Sequence, residues 1–262
     1  MNLSKLHYLL PRLILLPGGL GLLLRIWLMK TDGQGFLLPN PFASTVLILL
    51  ILGVLAGLFY LARYWQEGAK YSFNFPASPI AAGGTGLAAL SIFVYSVISF
   101  SSVTDAIDLL AGIIGLAAAA ALGFCAWCRY WGKQPNFVFY LVPCVFFVFL
   151  LICQYRSWST DPQVLDYAFQ LLAIICLMLA SYYRAAFAAN QGNRRFYGFF
   201  ALAAVFFCCV TLTSWLNIVL YLGTGAWMLT DICKLTPMPM PKTMPITIPA
   251  SILSLFHWGK KE

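Results

Sequence analysis

Charge is what this chain has least of. Asp, Glu, Lys and Arg make up 9% of its 262 residues, against about a quarter in soluble domains. Acids are the scarcer sign, eight against sixteen bases, and histidine occurs only twice, at His7 and His257. An intramembrane aspartyl protease needs paired acids at depth and a metalloprotease needs histidine ligands; here the acids cluster near the ends of apolar runs. No H-E-x-x-H, G-x-S-x-G, P-loop or glycine-rich dinucleotide pattern occurs. Carboxylates in mid-membrane, the usual proton relays of pumps, are missing too, which counts against a proton-driven mechanism. The sequence therefore points to no catalytic residue, no metal and no cofactor.

What is present is hydrophobic length. Apolar residues make up 61% of the chain and its mean hydropathy is +0.85, more apolar surface than a soluble fold of this size could bury. The runs recur near the ~20 residues that cross a hydrocarbon core of about 30 Å. They place helices at about residues 6–29, 42–62, 80–101, 107–128, 137–154, 164–184, 196–212 and 215–233. The fold class is an all-α polytopic transmembrane bundle with eight crossings. Seven is the alternative, because Phe196 to Leu235 holds two spans only if Thr211 to Ser214 turns tightly. Residues 1–234 form the bundle. Residues 235–262 form a cytoplasmic tail, with Pro237, Pro239, Pro241, Pro245 and Pro249 forbidding a regular helix. The run Ile252 to Trp258 before Lys260 and Lys261 suits an interfacial segment or a docking site for a membrane or cytoplasmic protein.

Lys and Arg resist translocation, so their distribution orients the bundle. Thirteen bases fall on one side and only Arg25, Lys30 and Arg156 on the other; with the acids this gives +10 against −2. Both termini are expected in the cytoplasm of a plasma-membrane protein. The expected partners are the bilayer and its anionic inner-leaflet lipids. Nucleic acid is excluded, since the bases are scattered over short loops instead of forming one groove. The first span keeps bases inside its apolar run and lacks a cleavage pattern before Lys30, so it reads as a retained anchor. Its Arg12 and Arg25 are expected to snorkel, and a bend is expected near Pro17.

Arg63, Arg129 and Arg184 each end a span beside aromatic residues, which predicts cationic anchors in an interfacial belt. The pair Thr-Asp recurs at residues 31–32, 104–105 and 160–161, a weak hint of repetition. Small residues predict close packing at Gly53 with Gly57, at Gly83, Gly84 and Gly86, and along Ala111, Gly115, Ala119 and Gly123, whose span is expected to be central. Ala118 is expected on another face, tolerant of Leu. Cys125 and Cys128 form a C-x-x-C at a helix C-terminus, the wrong end for a lowered thiol pKa, so the cysteines read as structural.

Polar side chains aligned on helix faces are the remaining signal. Asn217, Tyr221, Thr224 and Asp231 make one stripe along the last span; Asp166, Gln170, Ser181 and Arg184 share a face of the sixth; Thr85, Tyr95 and Ser96 mark the third. Asn217, Tyr221, Thr224, Asp231, Asp166, Gln170, Thr85, Tyr95 and Ser96 are the candidate ligand-lining residues. Arg63, Arg129, Arg184, Asp231 and Lys234 are the candidate charge cluster at the inner mouth, because an acid at that depth needs a partner. The chain resembles no characterised transporter, receptor or enzyme family closely enough for residues to be carried over. Three functions fit: a small transporter or permease component moving a small or amphiphilic solute, a non-catalytic scaffold or sensor, and a membrane enzyme acting on lipid or prenyl substrates.

The charge split generates a topology test. In a variant whose native cysteines are replaced, single cysteines at Ser102 and Ser159 should react with an impermeant thiol reagent outside intact cells, and one at Gly192 should not. Labelling of the inner reporter from outside would reverse the orientation.

Overall fold

A computed structural model describes residues 11–28, 41–63, 68–101, 106–158 and 164–235. Helices and short connections make up these residues, with no strands among them: α1 Leu15–Leu28, α2 Pro41–Arg63, α3 Tyr71–Asn74, α4 Pro79–Phe100, α5 Ala106–Tyr130, α6 Phe137–Trp158, α7 Val164–Ala188, α8 Arg194–Val210 and α9 Trp215–Cys233. Seven of the helical stretches are long and apolar enough to span a membrane, the build of a multi-pass membrane protein. The eighth long helix, α8, has 17 residues, roughly 25 Å at 1.5 Å per residue. The tail 235–262 beyond Leu235, and the recurring Thr-Asp pairs, lie outside the described residues.

Local chemistry sets the ends. Ser78 caps α4 by accepting from the Ala81 amide, with Pro79 in the first turn. Asn193 accepts from the amides of Arg195 and Phe196 to start α8, and Ser214 accepts from Asn217 to start α9. Two helices end on left-handed residues: Gly132 (φ 69°) after α5 and Asn190 (φ 57°) after α7. The amides of Lys133 and Gln191 then reach back to the carbonyls of Cys128 and Ala186, which satisfies orphan carbonyls of the last turn. Thr211–Ser214 does turn tightly, so α8 and α9 are separate and pack on each other.

Each of α4 to α8 packs on the next helix, and α9 returns to α4, so six helices close a ring. The first two, α1 and α2, pack on each other and against the outside of α8. Four neighbours therefore surround α8, and the core runs along it through Leu202, Phe206 and Phe207. The expectation that the span of Gly115 is central is corrected here. That helix, α5, packs mainly on α4 and α6, whereas α8 is apolar all round beyond its first turn, the pattern of a helix with no solvent face. Large apolar side chains face outward on the other helices, among them Leu16 and Leu23 of α1, Leu49 and Phe59 of α2, and Leu90 and Phe93 of α4. Such a surface suits lipid.

Small residues set the crossings, though not all the predicted ones. A Cβ on Gly84 would collide with Thr230, and one on Gly223 with Ser91. Each pair couples α4 to α9, and their order along the two helices is antiparallel. Gly115 would likewise collide with Ser96 of α4 and come within 2.9 Å of Phe146 of α6. The ridge fails at its ends, because Gly123 meets nothing within 4 Å, and Gly53, Gly57, Gly83 and Gly86 are equally open. Ala118 is fully buried, so the expected tolerance there is corrected: the contact face of α5 is broad enough to hold both Ala118 and Ala119. Gly192 is also packed, against the Phe187 ring, and exposed Gln191 is the better topology reporter.

The basic residues of α1 divide. Arg12 is exposed, while Arg25 is buried and does not snorkel. Its Nη1 donates to the carbonyl of Val210 at 3.2 Å and its guanidinium lies 5.2 Å from the Phe169 ring. Val210 ends α8, where unsatisfied carbonyls and the helix dipole favour a cation. The bend expected near Pro17 is a turn at Ile14 that interrupts the helix, one turn ahead of a proline that has no amide to offer Leu13.

Packing at Gly115 should be measurable. Gly115→Leu should cost about 1–3 kcal/mol or more by overpacking, whereas Gly123→Leu, into open space, should cost little. Equal thermal stability of the two variants in detergent would remove the close-approach argument.

Candidate functional site

Five of the six ring helices send side chains to one point near the ends where α5, α7 and α9 finish. Asp231 of α9 lies fully buried there. Its Oδ2 accepts from Arg184 Nε of α7 at 2.8 Å and from the Tyr197 hydroxyl of α8 at 3.4 Å. Its Oδ1 lies 4.0 Å from Arg129 Nη2 of α5. Arg184 Nη2 donates to the Tyr140 hydroxyl of α6 at 3.2 Å. Both guanidiniums are about 1% exposed, and one carboxylate serves them both.

The ring is closed at this end by a segment that reads as loop in the sequence. Residues 68–78 fold inward around α3, burying Tyr71, Asn74 and Phe75. The Phe75 ring lies 3.5 Å from the Arg184 guanidinium and 5.0 Å from that of Arg129. With Tyr140 at 4.6 Å and Tyr71 at 5.1 Å it forms an aromatic box around Arg184, a favourable setting for a desolvated cation. Asn74 donates to the carbonyls of Gly68 and Lys70 and accepts from Arg194 Nη1 of α8 at 3.2 Å. The Tyr71 amide donates to the Asn190 side chain at 3.0 Å, so the plug is pinned to the turn between α7 and α8.

Of the predicted inner-mouth cluster, Arg129, Arg184 and Asp231 come together. Arg63 does not: it is exposed on α2, which stands outside the ring, and its guanidinium lies 5.5 Å from its own helix's Phe59. Lys234 is half-buried at the C-cap of α9. The anchor role expected for Arg129 and Arg184 is also corrected, since both point into the bundle while Tyr130, Trp131 and Tyr182 face outward. Tyr71, Phe75, Tyr140, Tyr197 and Asn74 went unidentified as site residues. The aromatic density of Tyr71, Phe73 and Phe75 in a short loop was the available signal.

At the opposite end a cavity of about 240 Å³ opens between α4, α5, α6 and α9. Tyr95, Ser96, Ser99, Asp108, Cys153 and Gln154 give it a polar lining over a floor that includes Phe146 and Leu150. The Tyr95 side chain interacts with those of Gln154 and Ser99. Ser96 Oγ is buried with no hydrogen-bond partner. Tyr95 and Ser96 are thus the candidate lining residues that reach this cavity; Tyr221 lines a separate, almost wholly apolar one of about 170 Å³ between α1, α8 and α9.

The others lie elsewhere. Thr85 donates to Ala81, Thr224 to Leu220 and Ser181 to Leu177, each to a carbonyl of its own helix. Such bonds neither line a path nor tie helices together, although the Thr224 side chain also meets that of Cys208 in α8. Tyr221 is buried, with its side chain against that of Gln154. Asn217 and Gln170 are nearly buried, and the Asp166 side chain lies outside the described residues. Between the two polar ends the ring is filled by Leu177, Leu202, Phe206, Trp227 and Met228. No family model, curated protein or solved structure matches this chain.

The shared carboxylate should dominate stability. Asp231→Asn leaves two buried guanidiniums without a counter-charge and should cost about 3–5 kcal/mol. Tyr197→Phe removes only one 3.4 Å hydrogen bond and should cost about 1 kcal/mol. Near-equal losses in a denaturant or thermal assay would show that Asp231 does not hold the arginines.

Proposed function

We propose that this protein is a small permease component of the plasma membrane with eight crossings, both termini cytoplasmic, and a pocket that receives a small polar solute from outside. The observation that carries the reading is the cavity of about 240 Å³ with six polar or thiol side chains on its wall. A lipid-facing crevice has no use for such a lining, because polar groups facing hydrocarbon cost free energy. The size suits a compact solute, below the usual range of about 300–1,000 Å³ for drug-sized ligands. Asp108 in the wall favours one that offers hydroxyl or ammonium donors.

The crossing count rests on α8. At 17 residues it falls at the short end of the spanning range, and its ends lie beside the basic cluster and beside Arg25. The basic end would then face the cytoplasm, as the charge split requires.

The packed middle of the ring favours a second reading, a scaffold or sensor that moves nothing. The reading as a lipid-acting enzyme required Arg63 to join Arg129, Arg184 and Asp231, and Arg63 stands apart.

Ligand-induced stabilisation separates the first two. Some member of a panel of small polyols, amines and amino acids should raise the melting temperature of the purified protein. Tyr95→Phe and Asp108→Asn should abolish that rise while leaving the ligand-free melting temperature nearly unchanged, and the same solute should enter proteoliposomes. A panel with no stabilising member, or a rise that survives both substitutions, would favour the scaffold.

A further inference from the structure

We infer that the basic end of the ring is an oxyanion site, taking a phosphoryl group between Arg129 and Arg184. The inference is independent of the solute pocket at the other end.

The first ground is charge. Two buried guanidiniums share one carboxylate, and among the described residues no other acid pairs with either, so these three groups carry a net +1 inside the protein. Helix dipoles do not offset it: α5, α7 and α9 end here while α6 and α8 begin here, so negative and positive helix ends alternate around the site. A cation held this deep is stable only with a compensating anion.

The second ground is hydrogen bonding. Arg129 has Nε, Nη1 and Nη2 all buried without a hydrogen-bond acceptor, and the carboxylate oxygen it faces, Asp231 Oδ1, stands 4.0 Å away and is itself without a hydrogen-bond partner. Arg184 Nη1 and the Tyr71 hydroxyl are also buried without partners. Asp231 takes Nε of Arg184 and Tyr140 takes Nη2, which leaves Nη1 free. Donors therefore remain on two guanidiniums that lean on one Phe75 ring.

The third ground is geometry. A carboxylate has two oxygens and one planar fork of arginine uses both. The Arg129 fork, one remaining donor of Arg184 and the Tyr71 phenol lie on three side chains and call for an acceptor with more oxygens in three dimensions, which a phosphoryl group supplies. A phosphodiester monoanion would also bring the local charge to zero. Tyr130 and Trp131 face outward in the last turn of α5 and just after it, which puts the site at the depth where interfacial aromatics and lipid phosphates lie. The group could belong to a lipid headgroup or be free phosphate, and both present the same oxygens.

The test uses the full chain purified in a phosphate-free detergent. Wild type should melt several degrees higher with inorganic phosphate or with added phosphatidylglycerol, and no higher with chloride at matched ionic strength. A rise with the lipid alone assigns a headgroup; a rise with both assigns the phosphoryl group whatever carries it. Arg129→Gln should lose the rise yet melt no lower than wild type without the anion, since it removes an uncompensated charge. A purely structural Arg129 predicts the reverse, a lower melting temperature and no anion response in either protein. Should Arg129→Gln fail to fold, Arg129→Lys keeps the charge without the fork and should need about tenfold more anion for half the rise. No response of wild type to either source, or an undiminished response in the Arg129 variant that folds, overturns the proposal.

Discussion

The rest of the basic end depends on one carboxylate. Asp231 faces two guanidiniums in an enclosure of Phe75, Tyr140 and Tyr197, where water cannot share the charge and Coulomb energies are least screened. The consequence passes outward in steps. Holding Arg184 in place presents its guanidinium to the Phe75 ring; Phe75 seats the inward fold of residues 68–78; and Asn74, on that fold, meets Arg194 at the start of α8. An electrostatic contact between α7 and α9 thus fixes the position of a connecting segment that has only one short helical turn of its own.

A second constraint acts along the α4–α9 contact, where lipid gives helices no hydrophobic reason to prefer each other. The pairs Gly84 with Thr230 and Ser91 with Gly223 bring α4 and α9 into backbone proximity. The hydroxyls there bond their own helices, Ser91 to Ala88 and Thr230 to Ala226, so they can pack against glycine without leaving a polar group unsatisfied. Partnerless polar atoms fall instead mainly at the ends: Ser96 by the cavity, Arg129 and Tyr71 at the basic end.

How much of this was legible in the sequence follows from which physics acts locally. Span boundaries were legible because hydrocarbon thickness imposes a length, and Pro79, Ser78, Asn193 and Ser214 carry their start signals in their own chemistry. Arg129, Arg184 and Asp231 were legible as a group because charge near helix ends at one depth must be paired. Arg63 has the same local sequence as Arg129, an Arg-Tyr-Trp ending, and only tertiary placement separates them: α2 stands outside the ring. Residues 68–78 are too short to span and too polar at their start to read as anything but a loop; their inward fold depends on guanidiniums more than fifty residues away. Arg25 and the centrality of α8 were hidden for the same reason, since each is decided by which helix lies alongside.

The stripe from Asn217 to Asp231 runs between the two polar ends, yet Trp227 and Met228 fill the ring beside it. On the permease reading, a solute at Tyr95 could reach Arg129 only if one wall of the ring moved. The α4–α9 wall is interlocked at two glycines and is the least able to. The α6 wall is braced least, with 28% of its span buried against 56% for those of α7 and α9, and Pro143 within it removes one backbone hydrogen bond. Tyr140 lies one turn before that proline and bonds Arg184, so a bend of α6 there would strip a partner from the buried cation. The hydrogen bond from Arg184 to Tyr140 therefore holds α6 to α7 one turn from the proline, where the backbone ladder of α6 is weakest.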